Sequence, residues 1–144
     1  MRVRFKLLVA ASCVAAVVLS TSVAFAKPLS EQQWRKQANV ICKQSNKDLN
    51  SMSAEAFAGL GPNDQPTAEQ YAAFIEQGGP SIRASLASID ALNEPKALKK
   101  DVKKMLGATL AALAVLEADP SADSDAVFAK PTKLFKRLGL VCGS

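Results

Sequence analysis

Histidine is absent from the 144 residues. That removes the side chain best suited to general acid–base work near neutral pH, and with it the commonest transition-metal ligand. Aromatic residues are few, with one Trp, one Tyr and six Phe. None lies among Lys96, Lys99, Lys100, Lys103 and Lys104, so that basic run offers no platform for stacking nucleic-acid bases. Cysteine is limited to Cys13, Cys42 and Cys142. These form no C-x-x-C pair and no zinc-binding spacing, which excludes the usual redox and structural-zinc readings. No G-x-S-x-G elbow and no phosphate-cradling glycine loop occurs either. A catalyst built on this chain has to use carboxylates, lysines or Tyr71, and a carboxylate-based hydrolase is the enzyme alternative to a binding protein.

The first residues, MRVRFKLLVAASCVAAVVLSTSVAFA, have a layout of their own. Arg2, Arg4 and Lys6 precede an apolar run from Leu7 to Leu19, and Ala24-Phe25-Ala26 supplies small residues at a cleavage spacing. This predicts a signal peptide over residues 1–26 and an exported domain over residues 27–144. The apolar run is shorter than the roughly 20 residues of a membrane anchor. Cys13 follows Ala11 and Ser12 as a lipidated cysteine does, but Ala10 stands where a larger aliphatic is usual. It therefore reads as apolar filler in a discarded segment. Counted from Lys27, the formal charge of +5 falls to about +2, so the basic balance is largely a targeting feature and is no argument for nucleic acid.

A domain of about 118 residues can bury a core without several disulfides. After cleavage two thiols remain, and in an exported chain they predict a Cys42–Cys142 bridge. It closes a loop of roughly 100 residues, worth on the order of 4.7 kcal/mol in the chain-entropy model.

Four helical stretches follow in order. Ser30 and Gln33 have capping-box spacing, and Leu29 with Trp34 has the spacing of a hydrophobic staple. The first helix should start there, carry Trp34, Ala38, Ile41, Ser45 and Leu49 on one stripe with Cys42 beside it, and end near Asn50. A breaker-rich loop runs from Gly59 to Pro66. Thr67 and Gln70 form a second capping box, and Ile75, Ile82 and Ile89 keep one register through Gly78-Gly79-Pro80, where a kink is expected. The third helix should run from about Pro95 to Ala118, with Leu98, Val102, Met105, Thr109, Leu113 and Leu116 inward. The fourth, capped by Ser121 or Asp123, places Val127, Phe128, Leu134, Phe135 and Leu138 inward and stops at Gly139-Leu140. No long stretch alternates with period two. The expectation is an all-α fold, an antiparallel up-down four-helix bundle with one disulfide, in which the first and last helices are neighbours.

Two charged groups are candidate sites. Glu117, Asp119, Asp123 and Asp125 cluster in sequence, but at a helix end and the next helix start, where acids cap; as a calcium loop they lack the central glycine and the closing glutamate. Lys96, Lys99, Lys100, Lys103 and Lys104 step by three and four residues, which places five ammonium groups on one side of the third helix. They form a candidate surface for an anionic envelope polymer or lipid headgroups. Lys130, Lys133, Lys136 and Arg137 extend it if the third and fourth helices are adjacent. The bundle interior, hinged at Gly78-Gly79-Pro80, is a candidate site for a lipid or other hydrophobic ligand.

The segments QANVIC and LGLVCG, the helix break LNEP and the alanine- and leucine-rich middle resemble small alanine-rich secreted proteins of actinobacteria, in which such cysteine segments bracket a helical domain. The resemblance implies export, a helical fold and the Cys42–Cys142 bridge, and it transfers no catalytic residue. Together these readings predict an exported, non-enzymatic protein of the cell envelope or exterior that acts by binding. No cofactor or metal is implied. Another envelope protein is a further possible partner.

Overall fold

The computed structural model describes residues 27–61 and 64–142; the predicted signal peptide and Cys13 lie outside the described residues. Helix α1 spans Glu31–Ala56, α2 Ala68–Asp90, α3 Lys99–Ala118 and α4 Ser124–Leu138. They form an antiparallel up-down bundle in which each helix packs on its sequence neighbour.

Local chemistry sets most of the helix ends. Ser30 accepts from the Gln33 N–H while the Gln33 side chain accepts from the Ser30 N–H, and Thr67 with Gln70 repeats the arrangement at α2. Each satisfies two amides that an isolated helix start leaves unpaired. Leu29 packs against the core beside fully buried Trp34, and its N–H donates to the Asn93 carbonyl at 3.0 Å. Asp123, the second of the two cap candidates, accepts from the Asp125 and Ala126 amides. Gly139, at φ 72°, ends α4, with the Leu140 N–H returning to the Phe135 carbonyl at 2.9 Å. That left-handed turn favours glycine and lets Leu140 bury.

Two expectations are corrected. Helix α1 runs past Asn50 to Ala56 because its end is held by Phe57, whose ring meets those of Tyr71 and Phe74 at centroid distances of 5.7 and 5.4 Å. Helix α3 starts at Lys99, not Pro95. Pro95 to Leu98 form a separate turn closed by the Leu98 N–H on the Pro95 carbonyl, so Lys96 lies outside the helix. At Gly78-Gly79-Pro80, where a kink is expected, α2 is one helix and is not split. Its Gly78 and Gly79 are buried and serve close packing: a Cβ at Gly78 would lie 3.2 Å from Leu49, and one at Gly79 would lie 3.0 Å from Glu117. The proposed hinge is therefore a packing seam against α1 and α3.

The core joins Trp34, Ala38 and Cys42 of α1 with Leu86 and Ile89 of α2, Val102, Met105 and Leu106 of α3, and Phe135 and Leu138 of α4. The expected α1–α4 contact is also corrected in kind. Helices α1 and α4 do not interlock along their lengths; the chain reverses at Gly139 and its tail lies on α1. Arg35 Nε donates to the Leu138 carbonyl at 3.0 Å, Asn39 Nδ2 to the Gly139 carbonyl at 3.0 Å, and Asn46 Nδ2 to the Val141 carbonyl at 2.9 Å. Asn39 Oδ1 accepts from the Val141 N–H at 2.9 Å. Cys42 bonds to Cys142 with 4.6 Å between their Cα atoms, within the range a disulfide spans. Residues 35, 39, 42 and 46 fall at steps of four, three and four on one face of α1. Asn39→Ala, which removes two of these hydrogen bonds, is expected to cost about 1 to 2 kcal/mol; a denaturant midpoint and faster hydrogen exchange at the Val141 amide would measure it.

Candidate functional site

Helices α3 and α4 are adjacent, and an outward-facing groove of about 780 Å³ runs between them. Its floor is made of small residues, Gly107, Ala108 and Ala111 of α3 with Ala126 and Ala129 of α4, and its walls carry Lys103, Lys104, Lys130, Lys133 and Arg137. No acidic side chain lines it, and among the described residues none of these five cations is ion-paired. Nothing lies within 4 Å of a Cβ added at Gly107, so the floor is open there. The short side chains that let two helices approach also leave the cations standing above a trough.

Two of the five predicted lysines, Lys103 and Lys104, line the groove. Lys99 and Lys100 are exposed on the first turn of α3, and Lys96 is exposed on the preceding turn; none of these three lines the groove. The conditional set contributes more than the primary one, since Lys130, Lys133 and Arg137 all join while Lys136 stays outside.

Helix electrostatics separates the two sides. Cations at a helix C-terminus stabilise it, so Lys136 and Arg137 in the last turn of α4 have a structural explanation. The lysines of α3 have the opposite relation to their helix. Lys99, Lys100, Lys103 and Lys104 occupy its first two turns, at the positive end of the macrodipole, and its N-cap residue, Leu98, makes no side-chain hydrogen bond to the helix. Each cation in that first turn works against the helix by about 0.3 to 1 kcal/mol.

Three of the four acids clustered at the α3–α4 connection have partners within the protein. Glu117 pairs with Arg83, Asp123 caps α4, and Asp119 accepts from the Ser121 hydroxyl and N–H. Those bonds hold the exposed Asp119 carboxyl below the usual carboxylate range, the hydroxyl having the larger effect. Among the described residues no cluster of His, Cys, Asp and Glu could hold a metal ion.

A second cavity of about 210 Å³ opens inside the bundle where α1 and α4 stand apart. All four helices and Cys142 line it; sequence reasoning offered an open interior but assigned no residues to it. Among the described residues no helix is long and apolar enough to cross a membrane.

The fold and its grooves define a disulfide-closed, all-α four-helix bundle. No protein-family model, curated protein sequence or solved structure matches this chain.

Proposed function

We propose that this chain is an exported, non-enzymatic binding protein of the cell envelope or exterior, and that the α3–α4 groove holds a linear anionic polymer bearing phosphate or carboxylate groups. The observation that carries the reading is the cluster of five unpaired cations around a trough with no acid in it. Coulombic repulsion makes such a cluster unfavourable by itself, and an anion relieves it. Concavity favours a chain that lies in the groove over a flat membrane surface. The signal-peptide layout of residues 1–26 and the single bridge support export.

The groove is tested with long-chain polyphosphate as probe. Binding should weaken steeply with salt, as counterion release requires. The triple change Lys103→Gln, Lys133→Gln and Arg137→Gln should weaken it about 100-fold, taking about 1 kcal/mol per surface cation. Lys36→Gln, Lys43→Gln and Lys47→Gln remove the same charge from exposed positions of α1 and should change it little. Equal losses in the two triples would overturn the groove assignment, and stronger retention on anionic phospholipid vesicles than on polyphosphate would replace the polymer with a membrane.

A further inference from the structure

We infer that the cavity between α1 and α4 is a second, independent binding site, for a small cationic molecule with one apolar ring. The cavity is a partly open cleft whose lining runs from exposed Asp125 to buried Ser45, Thr109 and Phe135. Its volume of about 210 Å³ exceeds the roughly 150 Å³ engineered cavity that binds benzene. It is smaller than the roughly 300 to 1,000 Å³ typical of sites for larger ligands. That size suits a ring with a short substituent.

The lining specifies the chemistry. Helix α4 presents Asp125, Phe128, Thr132 and Phe135 to the cavity at steps of three, four and three, from an exposed carboxylate at Asp125 to a buried ring at Phe135. Groove residues Ala126, Lys130, Lys133 and Arg137 occupy the opposite face of the same helix. The two sites therefore share an element but not a surface. No lysine or arginine lines the cavity, so an anion finds no counter-charge there. Thr109 Oγ1 donates to the Met105 carbonyl at 2.8 Å, which leaves only its lone pairs for a ligand. Asp125, with its backbone N–H donating to Asp123, offers its side chain as a further acceptor. A ligand that donates at its polar end and is apolar at the other matches both: the ammonium sits at Asp125 and the ring lies toward Phe128 and Phe135.

The full oxidised chain should be titrated with 2-phenylethylammonium, and in parallel with phenylacetate and palmitate, by heteronuclear NMR. Only the ammonium should shift resonances of residues lining the cavity. Asp125→Asn should weaken its binding about 10-fold, the scale of one charge-assisted hydrogen bond. Ser85→Leu fills the cavity from half-buried α2 and should abolish binding while leaving the melting temperature unchanged or raised. No shift with the ammonium, equal binding of phenylacetate, or binding unaffected by Asp125→Asn would overturn the inference, whatever the outcome for Ser85→Leu. Polyphosphate binding is read on the other face of α4, so neither proposal stands or falls with the other.

Discussion

Cys42→Ser is expected to lower stability by about 4 to 5 kcal/mol, the largest single effect in the molecule. The two cysteines are 100 residues apart, and the chain-entropy model assigns a loop of that length about 4.7 kcal/mol through restriction of the unfolded chain. Native domains hold roughly 5 to 15 kcal/mol in total, so the variant should lie near its unfolding threshold. For a domain of this size the loss corresponds to roughly 12 to 20 °C in melting temperature. The hydrogen bonds from Arg35, Asn39 and Asn46 to the tail remain, which should keep the folded variant's helix content unchanged. Urea titration of oxidised wild type against the serine variant measures it, and a loss below about 1 kcal/mol would mean the tail alone holds the bundle shut.

Trp34→Ala should cost about 3 to 5 kcal/mol, the range for removing a large aromatic side chain from a core. Trp34 is fully buried and shares the core cluster with Leu86, Met105 and Leu138, so its loss leaves a void among three other helices. Its ring nitrogen changes the expectation for a milder substitution. Trp34 Nε1 is buried with no hydrogen-bond partner among the described residues, a condition that costs about 1 to 3 kcal/mol. Trp34→Phe removes that donor and a modest volume together. The two effects oppose each other, and the variant should fall within about 1 kcal/mol of wild type. Calorimetry on both variants checks the pair; a Phe variant as unstable as the Ala variant would show that the indole nitrogen is satisfied.

The helix ends set by short-range chemistry were legible in the sequence. Ser30 with Gln33, Thr67 with Gln70, and Gly139 with Leu140 each settle their geometry within a few residues, so no distant partner is needed to read them. The start of α3 is not legible in the sequence because Leu98 is apolar and in register whether it lies in a helix or in the turn that Pro95 initiates. Gly78 and Gly79 look like a hinge in the sequence because their constraint, the nearness of Leu49 and Glu117, belongs to other helices. The tail clamp was invisible for a similar reason: Asn39 and Asn46 on a helix face look like solvated residues until an extended backbone is laid beside them. Two of the five groove cations, Lys103 and Lys104, follow from periodicity alone, whereas Lys130, Lys133 and Arg137 depend on which helices pair. The inner cavity is only partly legible: Asp125, Phe128, Thr132 and Phe135 follow one another at helical spacing on α4, but Ser45, Ser85 and Thr109 come from the three other helices and share no pattern in the sequence.

Because each helix meets the next one along the chain, most of the bundle assembles from segments close in sequence, and folds of that kind form in microseconds to milliseconds. The seating of the tail on α1 joins residues about 100 apart in sequence, so it is expected to follow the contacts between neighbouring helices. If sulfur joins sulfur only after the asparagines have brought the thiols together, oxidation is expected mainly to slow the exit from the native state and hardly to hasten entry. The bond thus acts as a kinetic lock, governing how long a folded molecule lasts.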